Sequence, residues 1–210
     1  MYDRQPWGTI AVGMRCTDAI PAPTVASLQG LLVGGLRPGD AVLPLQHRNY
    51  HHVAANEIAG RFLSSTRCDS LLYIDADQTF APDTLSRLRD NKHGQRYDVL
   101  GALYVHRKTG EPHAYTFSHS EAGTPVYDRL TKWEPGHVVT VDALGLGFTL
   151  VRRSTLEALP APWFYHKTPE TGEDLTFSYD VRRADMRVGL ATGVRVGHLD
   201  TIERWHGEVG

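Results

Sequence analysis

Cysteine is nearly absent from this chain: Cys16 and Cys68 are the only two in 210 residues, and no CxxC spacing joins them. Two separated thiols exclude a disulfide-framed scaffold and a cysteine zinc site, and they suit a reducing compartment. Charge of one sign is also lacking, with 22 Lys and Arg against 24 Asp and Glu, a formal net charge of −2. So balanced a chain has no bulk attraction for a polyanion, and nucleic acid is not an expected partner. No apolar run approaches the length of a transmembrane segment. The opening MYDRQPWGTIAVGM is interrupted by an acid, Pro and Trp, unlike a secretory leader. The expectation is a cytoplasmic protein. Repeats, low-complexity tracts and linker-like stretches are missing too, so the length fits a single domain with its own core.

In the first half, strand-like and helix-like segments alternate. TIAVGM (9–14) reads as a strand, and PTVASLQGLL follows with Val25, Leu28 and Leu32 at helical spacing. DAVLPLQ is a second strand, weakened by Pro44. HHVAANEIAGRFLSS carries Ala54, Ile58 and Phe62 at steps of four, an amphipathic helix. Next come the strand SLLYID and the helix APDTLSRLRDN, with Pro82 suited to a first turn. This βαβαβα order predicts a parallel sheet covered by helices. The second half is richer in strands: YDVLGALYVHR, EPHAYTFS, HVVTVDALGLGFTLVRR and RVGLATGVRVGHL, with the helices STLEAL and EDLTFSYDVRRADM between them. The expected fold is an α/β domain with an added mixed or antiparallel portion.

Ligands of such sheets bind beyond the carboxyl ends of the strands. There the chain places Asp75 and Asp77, either side of Ala76, directly after SLLYI. Two adjacent carboxylates repel unless water, a cation or a donor-rich ligand holds them. The pair suits a divalent cation, one acid on the ion and the other on a sugar hydroxyl or a metal-bound water. A plain turn, with Asp75 bonded to nearby amides, is the competing reading. Glu173 and Asp174 open a helix. Thr171 and Asp174 have capping-box spacing, which explains them structurally, although a helix start also holds a carboxylate firmly enough to serve as a base. His198 falls in phase with Val194 and Val196 and reads either as a core histidine or as a side chain turning into the cleft of the aspartates.

Taken in order, the strand ending in DAD, GLGFTLVRR, PWF, GEDLTFSYDVRRADMRVGL and VRVGHL resemble the GT-A glycosyltransferases, most of all compact bacterial and phage-type members of the family 2-like group. The resemblance covers most of the chain. It implies one GT-A domain, with residues 1–90 as the nucleotide-binding half and 91–210 as the acceptor-binding and catalytic half. It also implies a metal-dependent enzyme moving a sugar from a UDP- or GDP-linked donor to an acceptor hydroxyl. Asp75 and Asp77 would hold the ion and the donor ribose, with His198 as a further metal ligand. Such mixed carboxylate and imidazole ligation points to Mn²⁺ rather than Mg²⁺. Asp174, with Glu173 as its understudy, would take the acceptor proton in an inverting reaction. Thr17 and Asp18 match the nucleotide-base segment. Family members often carry Arg-Asn where Ala55-Asn56 stands here, which makes Asn56 a donor candidate, while Arg48-Asn49 lies earlier and Arg48 is a phosphate candidate. On the acceptor side stand Gly147, Trp163 and Trp133.

The remaining features have plainer readings. Gly145 and Gly147 do not form a dinucleotide fingerprint and are expected to relieve a crowded strand edge. Within PAPWFYHKTPETG, Trp163, Phe164 and Tyr165 read as anchors, an exposed ring as a sugar platform, and the loop as a lid. His47, His51 and His52 read as surface residues, and HRKTGEPH (106–113) as a solvated basic turn. Two other functions fit the same fold: a nucleotidyltransferase that makes nucleotide-sugars, and a non-catalytic glycan- or nucleotide-binding module. The first normally carries an early Gly-rich basic loop, which GMRCTDAIPAP is not.

Overall fold

The computed structural model describes residues 6–16, 19–47, 50–119, 125–169, 171–199 and 205–206. Its first strand, β1 (Ile10–Cys16), is buried along its whole length. Helix α1 (Ala22–Gly30) follows and passes into a wider π turn at Leu31–Gly35. Two short edge strands, β2 (Ala41–Val42) and β3 (Gln46–His47), both pair parallel with β1, and the Leu43–Pro44–Leu45 step separates them. Helix α2 (His51–Ser65) leads to β4 (Ser70–Asp75), parallel to β1 from the Ile10–Ser70 pair to the Arg15–Asp75 pair.

Strand β4 is apolar on both sides because both faces are covered. Leu71 and Tyr73 join Ala55, Ile58 and Phe62 of α2 on one face, while Leu72 and Ile74 join Trp7 and Leu31 on the other. After it come β5 (Gln78–Thr79), α3 (Thr84–Arg89) and β6 (Val99–Leu103). Strands β7 (Ala114–His119) and β8 (Pro125–Arg129) form a hairpin, followed by β9 (Val138–Val141), β10 (Ala143–Leu144) and β11 (Phe148–Arg152). The chain continues with α4 (Arg153–Ala158), α5 (Glu173–Arg183), β12 (Val188–Arg195), β13 (Gly197–Leu199) and β14 (Trp205–His206).

The main sheet runs β2-β1-β4-β11-β6-β12-β9, with β3 also on β1. It is a mixed sheet, as expected: β1 and β4 are parallel, while β11 lies antiparallel to both β4 and β6, and β9 antiparallel to β12. The antiparallel part includes HVVTVDALGLGFTLVRR, which is three strands and not one. Asp142 breaks the run, because its carboxylate accepts the Phe117 N–H (2.9 Å) and pairs with Arg182 (3.1 Å). Beyond it β10 joins β7 and β8 in a small outer sheet before the glycine step returns the chain to the centre. A Cβ on Gly145 would sit 1.9 Å from the Tyr104 hydroxyl, and one on Gly147 would sit 2.8 Å from the Gln78 amide. Only glycine can pass there.

One other expectation is corrected. In α1 the buried positions are Thr24 and, in the following turn, Leu31, while Val25 and Leu32 face solvent. The π turn shifts the phase, so the anticipated stripe of Val25, Leu28 and Leu32 keeps only Leu28 against the core. Strand β8, PVYDR, was not expected from the sequence and forms the edge of the outer sheet, paired with β7. The stripe of α2 is buried as expected, and Cys16 and Cys68 are buried without a disulfide. Among the described residues no helix is long and apolar enough to cross a membrane.

Candidate active site

The carboxyl ends of β1 and β4 meet side by side, and the Arg15–Asp75 register puts a cation against the first acid. Arg15 is 6% exposed. Its Nε donates to Asp75 Oδ1, its Nη2 to Asp75 Oδ2 (3.1 Å) and its Nη1 to Glu173 Oε1 (2.6 Å). A buried guanidinium must be paired, and here one fork joins two acids from opposite ends of the chain. Burial opposes the Asp75 charge, yet the charge and hydrogen bonds of Arg15 outweigh it and hold the carboxyl below its usual value. Both Asp75 oxygens thus accept from Arg15, which fixes the orientation of the carboxylate while each oxygen keeps a further lone pair. Among the described residues no three His, Cys, Asp or Glu side chains are grouped to hold an ion.

Asp77 is placed differently. Strand β5 pairs antiparallel with β13, and His198 is the register partner of Gln78. The Leu199 N–H donates to the Asp77 carbonyl (2.8 Å), so His198 Nε2 comes within 3.5 Å of Asp77 Oδ2. His198 Nδ1 lies 2.9 Å from the Val105 carbonyl, which can only accept, so the Nδ1 proton is fixed there and the Nε2 lone pair faces the acid. The Nε proton of Arg107 points at that lone pair from 3.0 Å, and its Nη2 pairs with Asp77 Oδ2. Among the described residues Asp77 Oδ1 is buried with no hydrogen-bond partner. A neutral imidazole and a carboxylate with an unmatched buried oxygen have the chemistry of a two-ligand cation site, of the kind that phosphates complete.

The helix start of α5 supplies the third group. The N-cap is Gly172 and not Thr171, whose hydroxyl is 2.8 Å from that of Thr168. The anticipated capping box is therefore absent, and among the described residues Asp174 accepts only the N–H of its neighbour Leu175 (2.8 Å). Burial and the adjacent Glu173 charge push Asp174 up to about 6, against the pull of Arg15. That value suits a base working near neutral pH. Tyr104 links the groups: its hydroxyl accepts the Gly147 N–H (3.2 Å), and burial, reinforced by the charges of Asp75 and Asp174, raises it well above its ordinary value.

Several candidates have mainly structural posts. Asn56 Oδ1 accepts the N–H groups of Trp163 (2.9 Å) and Phe164 (3.2 Å), and its Nδ2 donates to the carbonyls of Phe164 (2.6 Å) and His52 (2.8 Å). Its amide is spent on clamping a loop. The Trp163 indole N–H donates to the Leu156 carbonyl (2.8 Å), and Phe164 is fully buried between Tyr73 and Phe177. Anchored there, the loop leaves residues 166–169 as its exposed part. Asn56→Ala is expected to cost about 1–3 kcal/mol, the penalty of stranding the loop amides. Faster tryptic cleavage at Lys167 in the folded protein would register the release, and an unchanged cleavage rate would show that Asn56 is not the clamp.

Trp133 is half-buried against the core, and the Gly147 carbonyl accepts the Asp75 N–H (3.0 Å). Thr17, Asp18, Arg48 and Asn49 lie outside the described residues. His51 is exposed, and His52 meets His166 edge-on at 5.0 Å. Sequence reasoning missed Arg15, Tyr104 and Arg107. Arg15 had a signal, a charge inside the apolar run IAVGMRC, which demands a partner. Arg107 had none, since a basic turn ordinarily faces water.

No family model and no curated protein sequence matches the chain. Solved structures do. "Crystal Structure of A197 from STIV" superposes with a TM-score of 0.66 at 19% identity, covering 91% of this chain and 86% of that one. "Crystal structure of GalNAc-T7 with UDP, GalNAc and Mn2+" superposes with a TM-score of 0.63 at 13% identity, covering 98% of this chain but only 46% of that one. At such identities the likeness is one of fold, and the fold is the mixed α/β fold of the GT-A proteins.

Proposed function

We propose that this chain is a metal-dependent glycosyltransferase that moves a sugar from a UDP- or GDP-linked donor to an acceptor hydroxyl with inversion. The observation that carries the reading is the meeting of His198 Nε2 and Asp77 Oδ2 at 3.5 Å, two residues beyond Asp75, whose charge in turn reaches the Asp174 carboxyl raised to about 6. Asp77 and His198 would hold the cation, and the mixed donor set favours Mn²⁺. When bound, such an ion supplies positive charge to a departing diphosphate. The Mn²⁺ and UDP named for the GalNAc-T7 structure are consistent with this assignment.

The rest of the work falls to the chain itself. Asp174 takes the proton of the acceptor hydroxyl as its oxygen attacks the anomeric carbon, and the nucleoside diphosphate departs with the electrons of the broken bond. Asp75, oriented by both arms of Arg15, faces the donor's hydroxyls. Glu173 keeps Arg15 in place and raises Asp174 by its charge. Thr17, Asp18 and Arg48 are proposed nucleotide contacts. The acceptor side is proposed to include Gly147 and Trp133, with Trp163 and Asn56 fixing the neighbouring loop.

The test is incubation with labelled UDP- and GDP-sugars and Mn²⁺. Release of nucleoside diphosphate is expected; pyrophosphate chemistry would identify a nucleotidyltransferase, and binding without products a recognition module. Calorimetry on Asp77→Ala is expected to show loss of Mn²⁺-dependent donor binding, and full retention would remove Asp77 from the cation site.

A further inference from the structure

The hairpin between β6 and β7 was expected to be a solvated basic turn. Instead it lies against the site. Its base is fixed by stacking of Tyr104 on His113 (4.8 Å) and by the His113 N–H on the Tyr104 carbonyl (3.1 Å). Above that, the His106 N–H donates to the Glu111 carbonyl (2.7 Å), the Gly110 N–H donates to the His106 carbonyl (2.9 Å), and Gly110 has φ +70°. A turn this tight holds the backbone of Arg107 in one place and leaves its long side chain to rotate.

That side chain contacts both halves of the candidate cation pair, Asp77 through Nη2 and His198 through Nε. One guanidinium therefore satisfies the same carboxylate and the same lone pair that a divalent ion would use. It is reachable, with the Arg107 and Asp77 side chains 29% and 31% exposed. Two cations cannot share one carboxylate at contact distance without strong repulsion. A guanidinium displaced from Asp77 has an obvious next partner in a diphosphate, whose oxygens match its planar fork.

We infer that Arg107 is a resident cation: it fills the Asp77–His198 pair in the nucleotide-free protein and gives it up to a divalent ion arriving with a diphosphate, whose oxygens it then binds. The inference rests on the assignment of Asp77 and His198 as cation ligands. It makes ion and nucleotide binding mutually dependent, because the ion alone must evict Arg107 with no compensation, whereas the ion with diphosphate offers the guanidinium a new acceptor.

Mn²⁺ binding to the full chain, followed by electron paramagnetic resonance with and without saturating UDP or GDP, tests this. Without nucleotide, Arg107→Met is expected to bind Mn²⁺ about tenfold more tightly than the wild type, and Arg107→Lys, which keeps the charge, far less so. With nucleotide present the advantage disappears or reverses. Adding Asp77→Ala to Arg107→Met is expected to abolish the tight binding; its persistence would put the ion elsewhere and overturn the inference. Equal nucleotide-free affinities, in a wild type that does bind Mn²⁺ alongside UDP or GDP, overturn the inference while leaving the cation site standing. Failure of every form to bind Mn²⁺, with nucleotide affinity lost in Arg107→Met, would make Arg107 the permanent cation and overturn both.

Discussion

Asp174→Asn is expected to lower sugar transfer by about 10³-fold, within the range that a positioned base contributes, while nucleotide binding in Mn²⁺ stays near the wild-type value. The substitution is nearly isosteric, and the amide oxygen can still accept the Leu175 N–H, so the start of α5 is preserved. What it removes is the capacity to take a proton. In the wild type, transfer should rise with pH through a midpoint near 6, where burial and Glu173 place the Asp174 carboxyl, and then level off. The Asn variant should lose that limb. Glu173→Gln provides the control, because it removes a charge that raises Asp174 and should move the midpoint to lower pH. A rate retained within a few-fold in Asp174→Asn would assign the proton to another group, and a midpoint unmoved by Glu173→Gln would deny the coupling of the two acids.

Much of this arrangement was legible in the sequence, for a physical reason. The stripe of Ala54, Ile58 and Phe62 and the unbroken apolar run ahead of Asp75 are local patterns, imposed by burial on one face or on two. They survive any rearrangement of their neighbours, and the sheet end that bears Asp75 and Asp77 follows from them. The path of GLGF does not. Whether a β-prone run crosses the sheet once or breaks into three strands depends on Asp142 finding Phe117 and Arg182, and on Tyr104 occupying the space beside Gly145. Those are contacts between distant segments, and no window of sequence contains both partners. The same holds within the site. Thr171 and Asp174 had the spacing of a capping box, but the helix starts one residue later, with Gly172 as its cap. This leaves Asp174 without the structural duty that would have explained it. Asp75 was read beside its neighbour in sequence, Asp77, and its neighbour in space, Arg15, was not visible there.

That last contact carries the second large expectation. Arg15→Met should destabilise the fold by about 3–5 kcal/mol at pH 8, the cost of leaving buried charges without their partner. Methionine keeps much of the stem volume, so the effect is chiefly electrostatic. Its pH dependence separates it from a packing defect. In the wild type, Arg15 depresses Asp75 below the usual carboxylate value, so the contribution is full above the unfolded carboxyl's value and fades as pH falls through the lowered folded one. In the variant, Asp75 and Glu173 keep their burial and lose their counter-charge. Burial alone raises a carboxyl, so Asp75 should favour its protonated form, and the deficit should shrink as pH falls toward 5. Chemical denaturation at pH 8 and pH 5 measures both limbs. Adding Glu173→Gln to Arg15→Met should recover part of the loss at pH 8, since one of the two stranded charges is gone. A deficit equal at both pH values, or a double variant no more stable than Arg15→Met, would mean that the guanidinium matters for its shape and not for joining the first acid of the DAD segment to the acid beside the base.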